Sequence, residues 1–245
     1  MTYSQRFEKK YLLNLKQYLY LKTYFLNFFK LDNFCKNGNY IVSSLYYDTK
    51  ELKFYYEKED GEKNRTKIRL RTYQNSKGLN LQGENMVNLE IKKRINQNVF
   101  KKRSLLNESV CKKFIQSPNF EFIQNYKTNA LVEAAYISTI NSLIPKIVVI
   151  YDREAYFSKI CANVRLTFDH NLRYRIYNLT PNNISNTLSI IPEDYIIMEL
   201  KYNTILPLFI TKIIRNFDIS QCTFSKYYIS LEKSMRFSNL NYLNK

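Results

Sequence analysis

Between Arg65 and Tyr73 the chain reads RTKIRLRTY, and its alternation limits what this stretch can become. Successive side chains of a strand point to opposite faces. Arg65, Lys67, Arg69, Arg71 and Tyr73 therefore share one face, and Thr66, Ile68, Leu70 and Thr72 the other. The period recurs in Arg6, Glu8 and Lys10, and again in Glu90, Lys92 and Arg94. Arg165, Thr167 and Asp169 stand opposite Val164, Leu166 and Phe168, and Glu199 and Lys201 opposite Met198, Leu200 and Tyr202.

Taken singly, each such strand reads as an ordinary sheet surface with its charges in water. Three features favour an inward charged face. Arg prevails over Lys in these strands while Lys prevails elsewhere, and Arg suits bidentate phosphate recognition. Like charges stacked on neighbouring strands repel one another and call for a counter-anion. A barrel wide enough to keep a lumen can turn its polar face inward and its apolar face onto helices. The expectation is a basic tunnel that takes a polyphosphate.

The total charge agrees: Lys and Arg number 38 against 21 Asp and Glu, a formal balance of +17 that implies a polyanionic partner. The chain is also rich in Asn, Ile and Tyr, the signature of an AT-rich genome, which inflates Lys for unrelated reasons. Position therefore weighs more than the total. Carboxylates Glu8, Glu90, Asp169 and Glu199 lie on the charged faces, where oxygen ligands suit Mg²⁺ or Mn²⁺; the alternative is that they are ion-pair partners spacing the cations apart.

Four cysteines, Cys35, Cys111, Cys161 and Cys222, are widely spread, with one histidine, His170. Neither a zinc site nor a disulfide framework is indicated, and a reducing cytoplasm fits best. His170 reads as a structural residue or, beside Asp169, as a base at a tunnel mouth. The N-terminal MTYSQRFEKKYLL has charges where a signal peptide needs its apolar run, and no stretch suits a membrane span.

The fold class expected is α+β: an antiparallel β-barrel with flanking and C-terminal helices, one domain over residues 1–245. Helices are expected over 14–34, 107–116 and 128–142, after Pro207, and in FSKYYISLEKSM; residues 51–59 suit a strand or a short helix. Strands are expected over 40–48, 65–73, VNLEIKKRI, the stretch after Pro145, CANVRLTFD paired with it through a hairpin near 158–162, 172–177 and 195–202.

Read in order, RFEKKYLL, SLYYDT, Gly61 before RTKIRLRTY, LEIKKR followed by KKR, YDREAY with VRLTFD, MELKY before Leu206-Pro207, and FSKY make the sequence resemble the VTC domain family of the triphosphate tunnel superfamily. The resemblance implies a tunnel in which the γ-phosphate of ATP is converted into polyphosphate with Mn²⁺ or Mg²⁺. It implies phosphate binding by Lys10, Arg69, Arg71, Lys92, Lys101, Arg153, Arg165 and Lys226, with Ser225 beside the last, and a metal at Glu199. Arg65, Lys67, Arg103 and Lys201 join the substrate-binding candidates, and Glu8 and Glu90 the metal candidates. The start Arg6-x-Glu8-x-Lys10 departs from the E-x-E-x-K of the related CYTH pattern and counts against a simple triphosphatase of that kind. Arg94 stands where some eukaryotic members carry histidine. SPX regulatory and membrane domains are not matched, so neither inositol-phosphate regulation nor polymer translocation follows from the resemblance, while a peripheral position at a membrane and a membrane-protein partner for polymer export stay open.

Rival readings are a tripolyphosphate or nucleoside triphosphate hydrolase of the same fold, a non-catalytic polyphosphate-binding subunit, and a nucleic-acid-binding module. The last is disfavoured because the tyrosines are spread evenly and form no binding motif.

Overall fold

The computed structural model describes residues 7–35, 38–96, 98–117, 128–161, 163–203 and 205–243. Arg6, and Ala162 in the expected hairpin turn, lie outside them. The elements begin with β1 (Phe7–Asn14), α1 (Leu15–Leu26), β2 (Phe29–Leu31), β3 (Tyr40–Asp48), α2 (Lys53–Glu59) and β4 (Arg65–Gln74). Then come β5 (Val87–Ile95), β6 (Asn98–Leu106), α3 (Glu108–Gln116), α4 (Asn129–Asn141) and β7 (Ile144–Ser158). The chain continues through β8 (Arg165–Arg175), β9 (Leu188–Ser189), β10 (Tyr195–Tyr202), α5 (Leu208–Asn216) and α6 (Lys226–Leu243). No helix among the described residues is long and apolar enough to cross a membrane.

Contacts gather the chain into two compact units. The first comprises residues 1–41, 151–172 and 191–225, the second 42–150, 173–190 and 226–245. In the first unit the strand order is β1-β10-β8-β7, with β2 on β7. Its core is the apolar parity of those strands, Tyr11, Leu13, Leu166, Phe168, Met198 and Leu200, closed by Leu21 and Phe25 of α1 and Ile210 and Ile214 of α5. Helix α1 starts where it does because Asn14 and Gln17 form a capping box: Asn14 Oδ1 accepts from the Gln17 amide at 2.8 Å, and Gln17 Oε1 from the Asn14 amide at 3.1 Å.

The helix expected to reach residue 34 ends at Leu26. Phe29–Leu31 instead pairs with Tyr156–Ser158, and Phe29 is fully buried beside Phe25. Phe25, Phe28 and Phe29 fit the helical period, but Phe29–Leu31 gains a ladder with β7 and a buried site for the Phe29 ring, and the aromatic segment goes to the sheet. The strands expected over 161–169 and 172–177 are one, β8, which contains Asn171 in a left-handed backbone (φ 49°) that Asn tolerates.

In the second unit the order is β7-β3-β4-β5-β6, and β9 pairs with the end of β8. Ile68, Leu70, Leu89 and Ile91 are buried on one side, and α4 packs against β5 and β6. Residues 53–59, open between strand and helix in the sequence, are helical because Asp48 accepts the amides of Phe54 at 2.8 Å and Tyr55 at 3.0 Å, and that of Thr49 at 2.7 Å. No second named strand pairs with β1 or β6 among the described residues. The antiparallel α+β class is as expected; the pairing does not close into a ring.

Candidate functional site

Register assembles the cations of the second unit into rows. Lys67, Lys92 and Lys101 stand side by side across β4, β5 and β6. The next row along the strands is Arg69, Glu90 and Arg103; Arg65 faces Arg94, and Arg71 faces Asn88. Directly opposed like charges destabilise a sheet. Seven expected site cations thus share a face with one carboxylate, Glu90.

Glu90 is 1% exposed and holds this face together. Arg69 donates to Oε2 from Nε at 2.8 Å and Nη2 at 2.6 Å; Lys101 and Arg103 donate to Oε1 at 2.8 and 2.9 Å; Arg71 stands at 3.8 Å. Burial alone would raise the Glu90 carboxyl, but Arg69, Arg71 and Lys101 hold it well below the usual carboxylate range. Lys101 is pulled down to about 8 by burial, against the pull of Glu90. Arg71 is buried and donates to Ser44 Oγ at 2.9 Å, and Arg69 Nη1 donates to the Tyr46 hydroxyl at 2.9 Å. Lys226, also buried, opens α6 directly after half-buried Ser225, and the Lys67 ammonium lies 5.7 Å from the ring of Tyr227.

The first unit is built differently, as a neutral checkerboard. Lys10 pairs across β1 and β10 with Glu199, which faces Thr167 on β8; Glu8 pairs with Lys201, which faces Arg165. Glu199 is 4% exposed and receives Lys201 at 2.8 Å, Arg153 at 3.4 Å and Lys10 at 3.7 Å. Arg153 forks onto Asp169 with 2.6 and 2.7 Å bonds, and Arg165 reaches Asp32 at 3.0 Å. Burial would lower the Arg153 guanidinium, but Asp169, Tyr151 and Glu199 raise it well above its usual value.

Expected metal ligands separate on this geometry. Glu8 and Glu199 converge on one ammonium, Lys10 Nζ, at 3.2 and 3.7 Å. Directly across from Glu199 the buried Thr167 hydroxyl has no hydrogen-bond partner among the described residues. Two carboxylates already gathered about a cation, beside an orphaned oxygen, fit a hard divalent ion that takes its remaining ligands from phosphates and water. Among the described residues no three His, Cys, Asp or Glu side chains are grouped so as to hold a metal ion. Glu90 by contrast is engaged by four cationic side chains, the ion-pair alternative raised from the sequence.

Several residues escaped the sequence reading. Asp32 and Tyr40 border Arg165, Ser44 supports Arg71, and Tyr46 supports Arg69. Only the SLYYDT motif signalled any of these, and it singled out no residue. His170 packs edge-on against Tyr18, its Nε2 3.4 Å from Glu154, on the parity shared by Leu166 and Phe168, and is therefore away from the charged face. Cys35 and Cys111 are free and buried, and burial pushes their thiols up to about 11 and about 12, which makes them poor nucleophiles.

The family model described as VTC domain matches residues 5–235. The chain belongs to the VTC domain family. Solved structures of low sequence identity share the fold of this VTC domain. A candidate adenylate cyclase from Bacillus halodurans aligns with TM-score 0.54 and 12% identity, covering 91% of this chain and 94% of that one. A candidate adenylyl cyclase from Hippeastrum, with a dominant triphosphatase activity of its own, aligns with TM-score 0.52 and 11% identity over 92% and 95% of the two chains. A protein from Pyrococcus horikoshii gives 0.50 and 16% over 93% and 99%. At such identities the likeness shows the fold alone. No curated protein sequence matches this VTC domain.

Proposed function

We propose that this VTC domain is a metal-dependent polyphosphate polymerase that transfers the γ-phosphate of ATP to a growing polyphosphate chain. One observation carries the reading: the second unit holds Lys67, Lys92 and Lys101 side by side, next to Arg69 and Arg103, with Glu90 as the one carboxylate within strands β4, β5 and β6. So uneven a face calls for a multiply charged anion, and Arg69, Arg71 and Arg103 offer the planar donors that suit phosphate oxygens. In this reading Arg65, Lys67, Lys92, Lys101 and Lys226 bind the chain of phosphates. Lys10, Arg153 and Lys201 keep Glu199 and Glu8 oriented, Arg165 stands opposite Lys201 as a further phosphate-binding cation, and Ser225 adds a hydroxyl. Mg²⁺ or Mn²⁺ held by Glu199 and Glu8 would neutralise charge on the leaving diphosphate. No protein nucleophile is required; the attacking group is the acceptor phosphate itself.

The second reading, hydrolysis of tripolyphosphate or nucleoside triphosphates with water as acceptor, draws on the triphosphatase activity of the Hippeastrum protein of like fold. Both require the same ligand class. Labelled tripolyphosphate should be displaced by ATP and by longer polyphosphate, and not by duplex or single-stranded DNA at equal phosphate concentration. Displacement by DNA alone would sink both in favour of a nucleic-acid-binding module.

A further inference from the structure

Tyr46, on β3, is 5% exposed and faces a crowd of cations. Its hydroxyl oxygen accepts from Arg69 Nη1 at 2.9 Å, and the same guanidinium lies 5.7 Å from its ring. Arg69 spends its other edge, Nε and Nη2, on Glu90. On the far side the Tyr46 ring packs against Tyr227 with centroids 5.1 Å apart, and the Tyr227 hydroxyl donates to Asp48. The Tyr46 hydroxyl therefore has its oxygen satisfied, while its own hydrogen has no acceptor among the described residues. A buried hydroxyl hydrogen left unpaired is costly, and here its surroundings are positive: Arg69, Arg71 and Lys67 of β4. An anion that enters this cluster would meet three cations and one neutral donor.

We propose that Tyr46 is a phosphate-contacting residue whose hydroxyl donates its hydrogen to an oxygen of the polyphosphate chain held by Arg69 and Arg71, so that ligand binding requires the protonated phenol. This rests on the functional reading above and adds a specific donor with a pH signature. Burial alone would raise the phenol, but Arg69, Arg71 and Lys67 outweigh it and pull Tyr46 down to about 7. The facing groups are Lys67, Arg69 and Arg71 of β4, Glu90 of β5 behind Arg69, and Tyr227 of α6 with Asp48 behind it. Guanidinium groups keep their charge over the working range. With no phosphate bound, the phenol loses its proton as pH rises through about 7, so binding at higher pH must take one up.

The test is tripolyphosphate affinity of the full chain and of Tyr46→Phe, by calorimetry from pH 6 to pH 9. Phe keeps the ring against Tyr227, and thermal unfolding verifies that the variant folds. At pH 6 the variant should bind about tenfold more weakly, the scale of one hydrogen bond to a charged acceptor. The deficit should vanish near pH 8 and reverse by pH 9, where the wild type must first reprotonate its phenol. Titrations of Lys101 and of the ligand are common to both proteins and cancel in that ratio. At pH 8 the wild type should take up protons on binding, read from buffers of different ionisation enthalpy, and the variant fewer. Equal affinities at every pH would overturn the proposal and leave the functional reading standing. A deficit that is flat with pH would overturn it too, since packing alone would produce that. A wild type that does not bind tripolyphosphate would overturn both.

Discussion

Glu90 is the residue on which the second unit's charged face turns, because it is the shared counter-ion of Arg69, Arg71, Lys101 and Arg103. Replacing it with Gln leaves those charges crowded. Breaking a buried pair costs about 3–5 kcal/mol, and the low end applies here because Lys101 and Arg103 reach solvent. Tripolyphosphate should then raise the melting temperature of Glu90→Gln more than that of the wild type, because an added anion replaces the lost one. An equal shift in both, measured by thermal unfolding with and without ligand, would argue against Glu90 as an internal stand-in for substrate charge. At this scale the cations were legible because period-two spacing marks them in the sequence. The role of Glu90 was not: a carboxylate among cations looks alike whether it holds metal or Arg, and only distances separate the cases. Tyr46 was hidden among many tyrosines, since nothing in SLYYDT says which ring meets an arginine.

At the scale of elements, strand parity accounts for both faces of β4, β5, β8 and β10. The odd residues of β4 carry charge and its even Ile68 and Leu70 are buried. Boundaries were less legible where a segment of helical period is taken by a partner strand, as at Phe29, or where a left-handed Asn171 lies within a strand without ending it. The apolar side of the first unit also carries a polar knot that pattern reading missed. Glu154 accepts from the hydroxyls of Tyr18 and Tyr156, each at 2.7 Å, and from Lys22 at 3.1 Å, with His170 beside it. Burial alone would raise Glu154, but these partners lower it from 4.5 to about 2. A depressed carboxyl stabilises the fold above its unfolded value and loses that contribution as pH falls through its folded one. Roughly 3 kcal/mol should therefore disappear between pH 4.5 and about pH 2. Chemical denaturation of wild type and Glu154→Gln across that range checks it: the variant's stability should be lower at neutral pH and flatter on the acid side. Parallel profiles would mean that Glu154 contributes nothing through its charge.

For the whole molecule, the antiparallel α+β class and family followed from the order of short motifs along the chain, each weak alone. The contrast between the two units did not follow from the sequence, because opposite and like charges alternate with the same period along a strand. Register alone reveals that Lys10 and Glu199 neutralise each other while Lys67, Lys92 and Lys101 do not. That contrast underlies the proposed division of labour, a carboxylate-bearing cluster for metal and a cationic one for phosphate. The most direct test is incubation of the purified protein with ATP and Mn²⁺, with and without a short polyphosphate primer, followed by gel analysis of phosphate chain length and assay of ADP. Chains that lengthen with one ADP released per phosphate added are the predicted result; ADP and orthophosphate without chains would contradict polymerisation and establish hydrolysis, and no turnover would contradict catalysis altogether.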